Sequence, residues 1–528
     1  MRRFNLLIFA LLMTWSLQAQ FINNGATVVI QSGATLKVET NFVNNSGTVT
    51  NYGTLEVTGN FENNATFTSA DPSSLVIFSG NGPSTVKSGG AVLRNVEMDK
   101  TSANTELTDA MEIAGDLSFT GTASKLVLGN NNLTLASTSA VNTAGANGYV
   151  VTNGSGALIK GITADGTKNM EVGDMNNYSP VSNVITGSLY TSATISARAY
   201  TGGLQPKYAE TTDYIDREWN VVADGIADYA NTMTGTYAAP DDVPDMSTLI
   251  KGATYHTGDW RFDGSSGNGT DLVTASTTTD DVLFSGKNFF GKANLKVFLA
   301  GPYNAGSMST ALNSILPVTT PYTAAPFNAP SENYSLKPAN ATDWILVELR
   351  DAASPSTILG QKSAWLLSDG SIVGLDGGAL RIKNGNPSSI VAIRHRNHLG
   401  VRTASGIDVV NPTLFDFSNT AVFGTNPQRN ISGTFAMWPG NTLVDGNIKY
   451  TGSDNDLDPI LNNILSQPAN FFGLTTYTYS GYNNYDVNMD GTIKYTGSDN
   501  DSDLILNNVL AHPSNLFGLI TFIINQQL

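Results

Sequence analysis

Near the end of the chain three oxygen-bearing side chains alternate with apolar ones: Asp486, Asn488 and Asp490 are separated by Val487 and Met489, and Gly491 follows. Side-chain oxygens at positions one, three and five, with a glycine at six, form the opening half of a calcium loop of the EF-hand type. The glycine makes the sharp turn, and position seven, here Thr492, contributes a backbone carbonyl. Such loops usually close on an acid at position twelve, but that position is Gly497. Four residues further on stands Asp501, so the spacing predicts an enlarged loop closed by Asp501. Asp503 is then expected to cap a helix with a buried stripe of Leu506, Val509 and Leu510, ended by Pro513. The competing reading makes these acids turn and cap residues that bind no ion.

The loop belongs to a repeat. Residues Asp445–Gly473 and Asp490–Gly518 lie 45 residues apart and agree at 21 of 29 positions. The first copy is weaker as a site: its equivalents are Asn441, Leu443, Asp445, Gly446 and Asn447, with Asp456 closing. Leu443 has no oxygen to offer, so this loop has lost a ligand. Ile493, at position eight, is expected to pair with its counterpart strand.

Other chemistries find little support. The four histidines are His256, His395, His398 and His512. His395 and His398, in Arg394-His395-Arg396-Asn397-His398, fall on opposite faces of a strand at that spacing and read as a basic rim rather than a metal pair. No nucleophile elbow, phosphate loop or HExxH motif is present, and no enzyme is expected. A polysaccharide lyase built on repeated strands is the enzymatic alternative, although no local cluster of Lys, Arg and Asp singles one out. A net charge of −16 argues against nucleic acid, which needs clustered Lys and Arg. Cysteine is absent, which excludes disulfides, thiolate metal sites and a Cys nucleophile. Arg2 and Arg3 precede the apolar run Leu6–Leu12, and Ala19-Gln20 suits cleavage, so residues 1–20 read as a secretory signal peptide. That run is too short to span a bilayer, which takes about 20 apolar residues, and nothing later qualifies.

The elements that must position the loops are mostly strands. Only 14% of residues are charged, and Gly, Asn, Thr and Ser dominate, which suits short strands and tight turns. In residues 21–165, LKVETNFVNN (Leu36–Asn45) and LEVTGNFENN (Leu55–Asn64) lie 19 residues apart. A coil of that length with Asn and Gly at its corners predicts a parallel β-solenoid; the alternative is a meander of hairpins. Residues 166–293 carry short strand-like runs that suit a β-sandwich, with Trp219 and Trp260 as core aromatics or, alternatively, as a platform for sugar rings. A Pro/Thr/Ala-rich connector follows over 294–340. A second β-sandwich is expected over 341–430, where Ile345, Val347 and Leu349 alternate with Leu346, Glu348 and Arg350. The two repeats fill 431–528. The fold class is therefore mainly β and multidomain: a solenoid, two sandwiches and a small helical repeat pair.

Residues 20–165, with LVLGNNNLTL and YVVTNGSGAL, resemble the Gly/Asn/Thr-rich segments of large secreted bacterial surface proteins. Further on, KVFLAGPYNAGSMST, DWILVELRDAASPSTIL, AIRHRNHLGVRTA and IKYTGSDNDLDPIL occur in this order. Together they resemble a recurrent C-terminal module of secreted multidomain proteins from Gram-negative bacteria, a β-domain followed by dockerin-like calcium repeats. The resemblance covers roughly residues 294–520. It implies an extracellular location and an adhesive or scaffolding role, and it carries no substrate. The expectation is a secreted, adhesin-like, non-enzymatic surface protein with Ca2+ in its C-terminal repeats. A polysaccharide or protein on the cell surface or outside the cell is the expected partner. The alternatives are a carbohydrate-active protein and a dockerin that docks on a cohesin-like partner.

Overall fold

The computed structural model describes residues 20–202, 214–238, 250–267 and 272–528. The expected signal peptide lies outside them, apart from Gln20. The described chain forms two compact units, one ending at Lys287 and the other Asn288–Leu528.

The first unit opens as a parallel β-solenoid of about seven turns. The repeat of 19 is its register: Leu36 pairs with Leu55, Val38 with Val57, Phe42 with Phe61 and Asn44 with Asn63. Every coil-to-coil pairing is parallel from the strand Phe21–Ile30 to the strand Leu158–Gly161, which removes the hairpin meander. Identical residues stack because each coil repeats its neighbour one strand spacing away. The Phe21 and Phe42 rings lie 5.2 Å apart and the Phe42 and Phe61 rings 5.1 Å apart, both stacked. Beside them Asn23 Nδ2 donates to Asn44 Oδ1 at 2.9 Å, and Asn44 Nδ2 donates to Asn63 Oδ1 at 2.8 Å. These three amides are buried, so the ladder satisfies groups that would otherwise be costly to hold away from water. Coils also approach too closely for side chains at the corners. At Gly47, with φ +90°, a Cβ would sit 2.4 Å from the Ala26 carbonyl of the preceding coil.

The solenoid does not end at a linker. The strand Leu158–Gly161 pairs antiparallel with Leu189–Thr201, and one apolar core runs from Ile30 to Phe284. The boundary expected at 165/166 therefore falls inside a continuous core. Trp219 and Trp260 are fully buried, so neither offers a platform for sugar rings. Trp219 Nε1 donates to the Ser179 carbonyl at 2.8 Å, and its ring packs 5.2 Å from that of Phe284.

In the second unit the strand Ala341–Asp351 lies between Ile358–Leu367 and Ser388–Arg394. The sequence alternates, yet every residue from Ala341 to Arg350 is buried, because both faces of this sheet are covered. Glu348 holds the polar side together, with its carboxylate 2.5 Å from Arg350 and 3.4 Å from Arg394. The Pro-rich stretch 294–340 supplies part of the cover instead of running free. Tyr322 donates its hydroxyl to the Trp344 carbonyl at 2.8 Å, and Trp344 Nε1 donates to the Pro317 carbonyl at 3.0 Å. Trp365 Nε1 donates to the Leu336 carbonyl at 2.8 Å. Prolines deny the segment ladder hydrogen bonds, and side-chain staples replace them.

Two α-helices occur among the described residues: α1 (Leu457–Leu465) and α2 (Asp501–Ala511). No described helix is long and apolar enough to cross a membrane.

Candidate metal centre

Each helix follows one of the two loops, and the loops repeat in backbone conformation as well as in sequence. Val444 and Met489 both adopt positive φ (59° and 61°), as do Gly446 and Gly491 (85° and 86°) and Asp454 and Asp499 (54° and 56°). A β-branched residue such as Val444 is rarely found there, so the turn imposes this conformation.

In the second loop Asp486 is fully buried. Its Oδ1 accepts from Asp490 N at 3.1 Å and its Oδ2 from Gly491 N at 2.9 Å. Asp501, the predicted closing acid, comes back to the start of the loop. Its Oδ1 accepts from Val487 N at 2.6 Å and Asn488 N at 3.3 Å, and its Oδ2 accepts from Lys494 N at 2.9 Å. Asp490 accepts from Thr492 N at 2.7 Å and Asn488 Nδ2 at 3.2 Å. The first loop repeats this frame with fewer charges. Asp456 accepts from Leu443 N at 3.2 Å and Lys449 N at 2.8 Å. Asn441 Oδ1 accepts from Asp445 N at 3.1 Å, and Asp445 accepts from Asn447 N at 2.8 Å.

Burial pushes the closing acids up: Asp501 to about 7 and Asp456 to about 7, helped by Asp486 in one case and Asp445 in the other. Burial also lifts Asp486 to about 6, partly opposed by the Arg396 guanidinium. Among the described residues no three His, Cys, Asp or Glu side chains are grouped to hold a metal. The second loop instead carries two buried carboxylates, Asp486 and Asp501, with the side-chain oxygens of Asn488 and Asp490 on the same turn, all hard oxygen donors of the kind calcium takes. The two buried carboxylates repel one another and Arg396 offsets this only in part, so a divalent cation would add compensating charge. The donor set fits. Asp486, Asn488, Asp490 and Asp501 would hold the ion with the Thr492 carbonyl.

The helix details differ from expectation. Asn500, not Asp503, is the N-cap of α2: its Oδ1 accepts from Asp503 N at 2.8 Å, while Asp503 Oδ2 receives Asn500 Nδ2 at 2.8 Å. The buried face of α2 is Ile505, Asn508 and Val509, because the helix begins at Asp501 and turns that stripe inward. Leu510 is left 38% exposed. Ile493 does not pair with its counterpart Ile448. It pairs with Tyr479, which follows α1, and Ile448 pairs with Ile524, which follows α2. The repeats thus exchange their trailing strands, and Ile448, Val487, Ile493, Ile505 and Ile524 share one core.

The expected basic rim is also placed differently. The strand Ser388–Arg394 ends before His395, and residues 395–398 turn inward and are buried. The His395 and His398 rings meet edge to face at 4.8 Å, in a network with Asp343 rather than at the surface. Of the other two histidines, His256 is hydrogen-bonded to the Asp281 carbonyl, and His512 stacks between Trp438 and Phe522. Sequence inspection missed the trailing strands and this buried network. TTYTYSG (475–481) and ITFIINQ (520–526) lie at the same offset of 45 and carried a faint signal for the strands. No family model matches this chain, and neither the curated proteins nor the solved structures contain a match.

Proposed function

We propose that this is a secreted, non-catalytic adhesion or scaffolding protein whose dockerin-like C-terminal repeat pair is held by calcium. The observation that carries this reading is the return of Asp501 to the start of the Asp486 loop, reproduced by Asp456 in the first copy. Calcium neutralises the buried carboxylates of the second loop and rigidifies the strands exchanged between repeats. The first loop, without oxygen at Leu443 and with Asn441 in place of an acid, binds weakly or serves as packing partner. Affinity of about 10⁻⁴–10⁻³ M suffices outside the cell. The adhesive surface is furnished by two apolar tips, one after each helix. Phe471 and Phe472 are 86% and 87% exposed, and Leu516 and Phe517, at the same offset, are 83% and 86% exposed. Side chains this apolar and this exposed are a cost in solution unless a partner covers them. Calcium titration of the purified chain by calorimetry and thermal melting tests the reading; no heat and no melting shift up to millimolar calcium would sink it.

A carbohydrate-binding reading has one observation in its favour. A groove of about 650 Å³ runs over the solenoid face, lined by Asn60, Thr85, Glu106, Val127, Asn153 and Met175 among others. Glu106 is the one carboxylate among its lining residues, so the groove suits binding of a polysaccharide and lacks an acid–base pair for cleavage. Binding screens against polysaccharides, with an assay for released reducing ends, separate a binder from a lyase or hydrolase. Pull-down from the parent secretome tests the cohesin-docking alternative.

A further inference from the structure

Within the second unit, the inward turn Arg394–His398 joins the central sheet to both loops. Asn397 is fully buried and touches the first residue of each loop. Its carbonyl receives Gly440 N at 3.0 Å and Asn441 N at 3.1 Å, at the head of the first loop. Its Nδ2 donates to the Asp486 carbonyl at 2.7 Å and the Asn484 carbonyl at 3.3 Å, at the head of the second.

A chain of hydrogen bonds fixes which way that amide points. Gly301 N donates to His398 Nε2 at 3.2 Å, so the His398 proton sits on Nδ1. From there it faces Asn397 Oδ1 at 2.8 Å and His395 Nδ1 at 3.1 Å, which leaves His395 to donate from Nε2 to Asp343 at 3.1 Å. Burial keeps both rings neutral by lowering their pKa values, as this arrangement requires. With Oδ1 engaged by His398, Nδ2 of Asn397 is held toward Asp486.

Asp343, on the central strand, is the other anchor. It is fully buried and is met by Arg396 at 3.0 Å and by the Tyr482 hydroxyl at 2.7 Å. Arg396 lies over the Tyr482 ring at 4.5 Å and donates to the Asn483 carbonyl. Tyr482 and Asn483 lead directly into Asp486. A buried ion pair held in a hydrogen-bond network of this kind is costly to break at any one member.

We propose that Asn397, Arg396 and Tyr482 are positioning residues that couple the two loops to each other and to the sheet strand Ala341–Asp351. This rests on the calcium reading above, and it adds that calcium is felt beyond the repeats. A loop that tightens around the ion pulls on backbone carbonyls whose donors are rooted in the sheet. The repeat pair and the β-region are then one calcium-responsive body.

Hydrogen exchange of the full chain, followed by mass spectrometry with calcium chloride or with chelator, tests this. Calcium is expected to slow exchange in the loops and, by five-fold or more, in the strand Ala341–Asp351. Tyr482→Phe removes the hydroxyl that reaches Asp343 and keeps the ring over Arg396. In that variant the loops are still slowed and the response of the strand falls to less than about two-fold. Linkage is reciprocal, so the same variant weakens calcium affinity by the factor lost from the strand. Asn397→Ser serves as a second variant with the same expectation. If wild-type loops respond to calcium and the strand does not, the coupling is wrong and the calcium reading stands. If calorimetry shows no calcium binding at all, both fail.

Discussion

Ile524 pairs with Ile448, and the strand it sits on closes the first repeat from the far end of the chain. Gln526 reinforces the closure, donating its backbone N–H to the Gly446 carbonyl at 2.8 Å and accepting from Gly400 N at 2.7 Å. Removing residues 521–528 is therefore expected to unfold both repeats, and not merely to fray α2. Circular dichroism should show helix lost from both, and calcium binding should vanish; a truncated chain that still titrates would disprove the strand exchange.

The two loops differ in charge, and their variants should differ accordingly. Asp486→Asn and Asp501→Asn are each expected to weaken calcium binding at least ten-fold, because affinity follows the number of charged ligands. Asp445→Asn, in the loop interrupted by Leu443, should leave the tighter binding event unchanged. Calorimetric titration of the three variants decides it, and equal losses at both loops would contradict the assignment.

A pH dependence follows from the raised carboxyls. Asp456 and Asp501 are held at about 7 and Asp486 at about 6, above the ordinary 3.8. A group raised in the folded state stabilises fully below its unfolded pKa and loses that contribution as pH rises through the folded value. Without calcium the second unit should therefore lose melting temperature between about pH 4 and about pH 7. A cation ligand must be ionised, so the stabilisation expected from added calcium should grow over the same range. Scanning calorimetry in chelator and in calcium measures both. An increment that shrinks toward pH 8 would count against the buried acids as ligands.

The apolar tips make a separable prediction. Phe472→Ser with Phe517→Ser removes two nearly fully exposed rings, so stability should change by less than about 0.5 kcal/mol per site. Binding to immobilised surfaces or partners should fall. Unchanged adhesion would leave the tips without a role in it.

In the solenoid, Asn44→Ala interrupts the ladder between Asn23 and Asn63 and is expected to cost about 2 kcal/mol in urea unfolding. A surface amide such as Asn45, bonded to Asn24 at 3.0 Å, should cost little on the same substitution.

Much of this protein was legible before any fold was known, and it was the part carried by local pattern. The 19-residue coil set the register Phe42–Phe61, because a repeat that buries one face must stack in phase with itself. The offset of 45 marked the two loops, and the spacing singled out Asp501, whose carboxylate returns to Val487 N and Asn488 N, because such a turn is a short-range matter. What lay between distant segments could not be read this way. The alternation around Glu348 marked a strand, but nothing in it showed that the Pro-rich stretch packs against that strand and its neighbour. His395 and His398 read as a strand rim because the strand's end, at Arg394, is set by what packs beyond it. Whether Ile448 pairs with Ile493 or with Ile524 depends on which arrangement buries the shared core best, and each segment alone is compatible with either. Local spacing singled out the loop acids; only the tertiary structure decided that Asn397 stands between the two loops, because that position is defined by contacts from both at once.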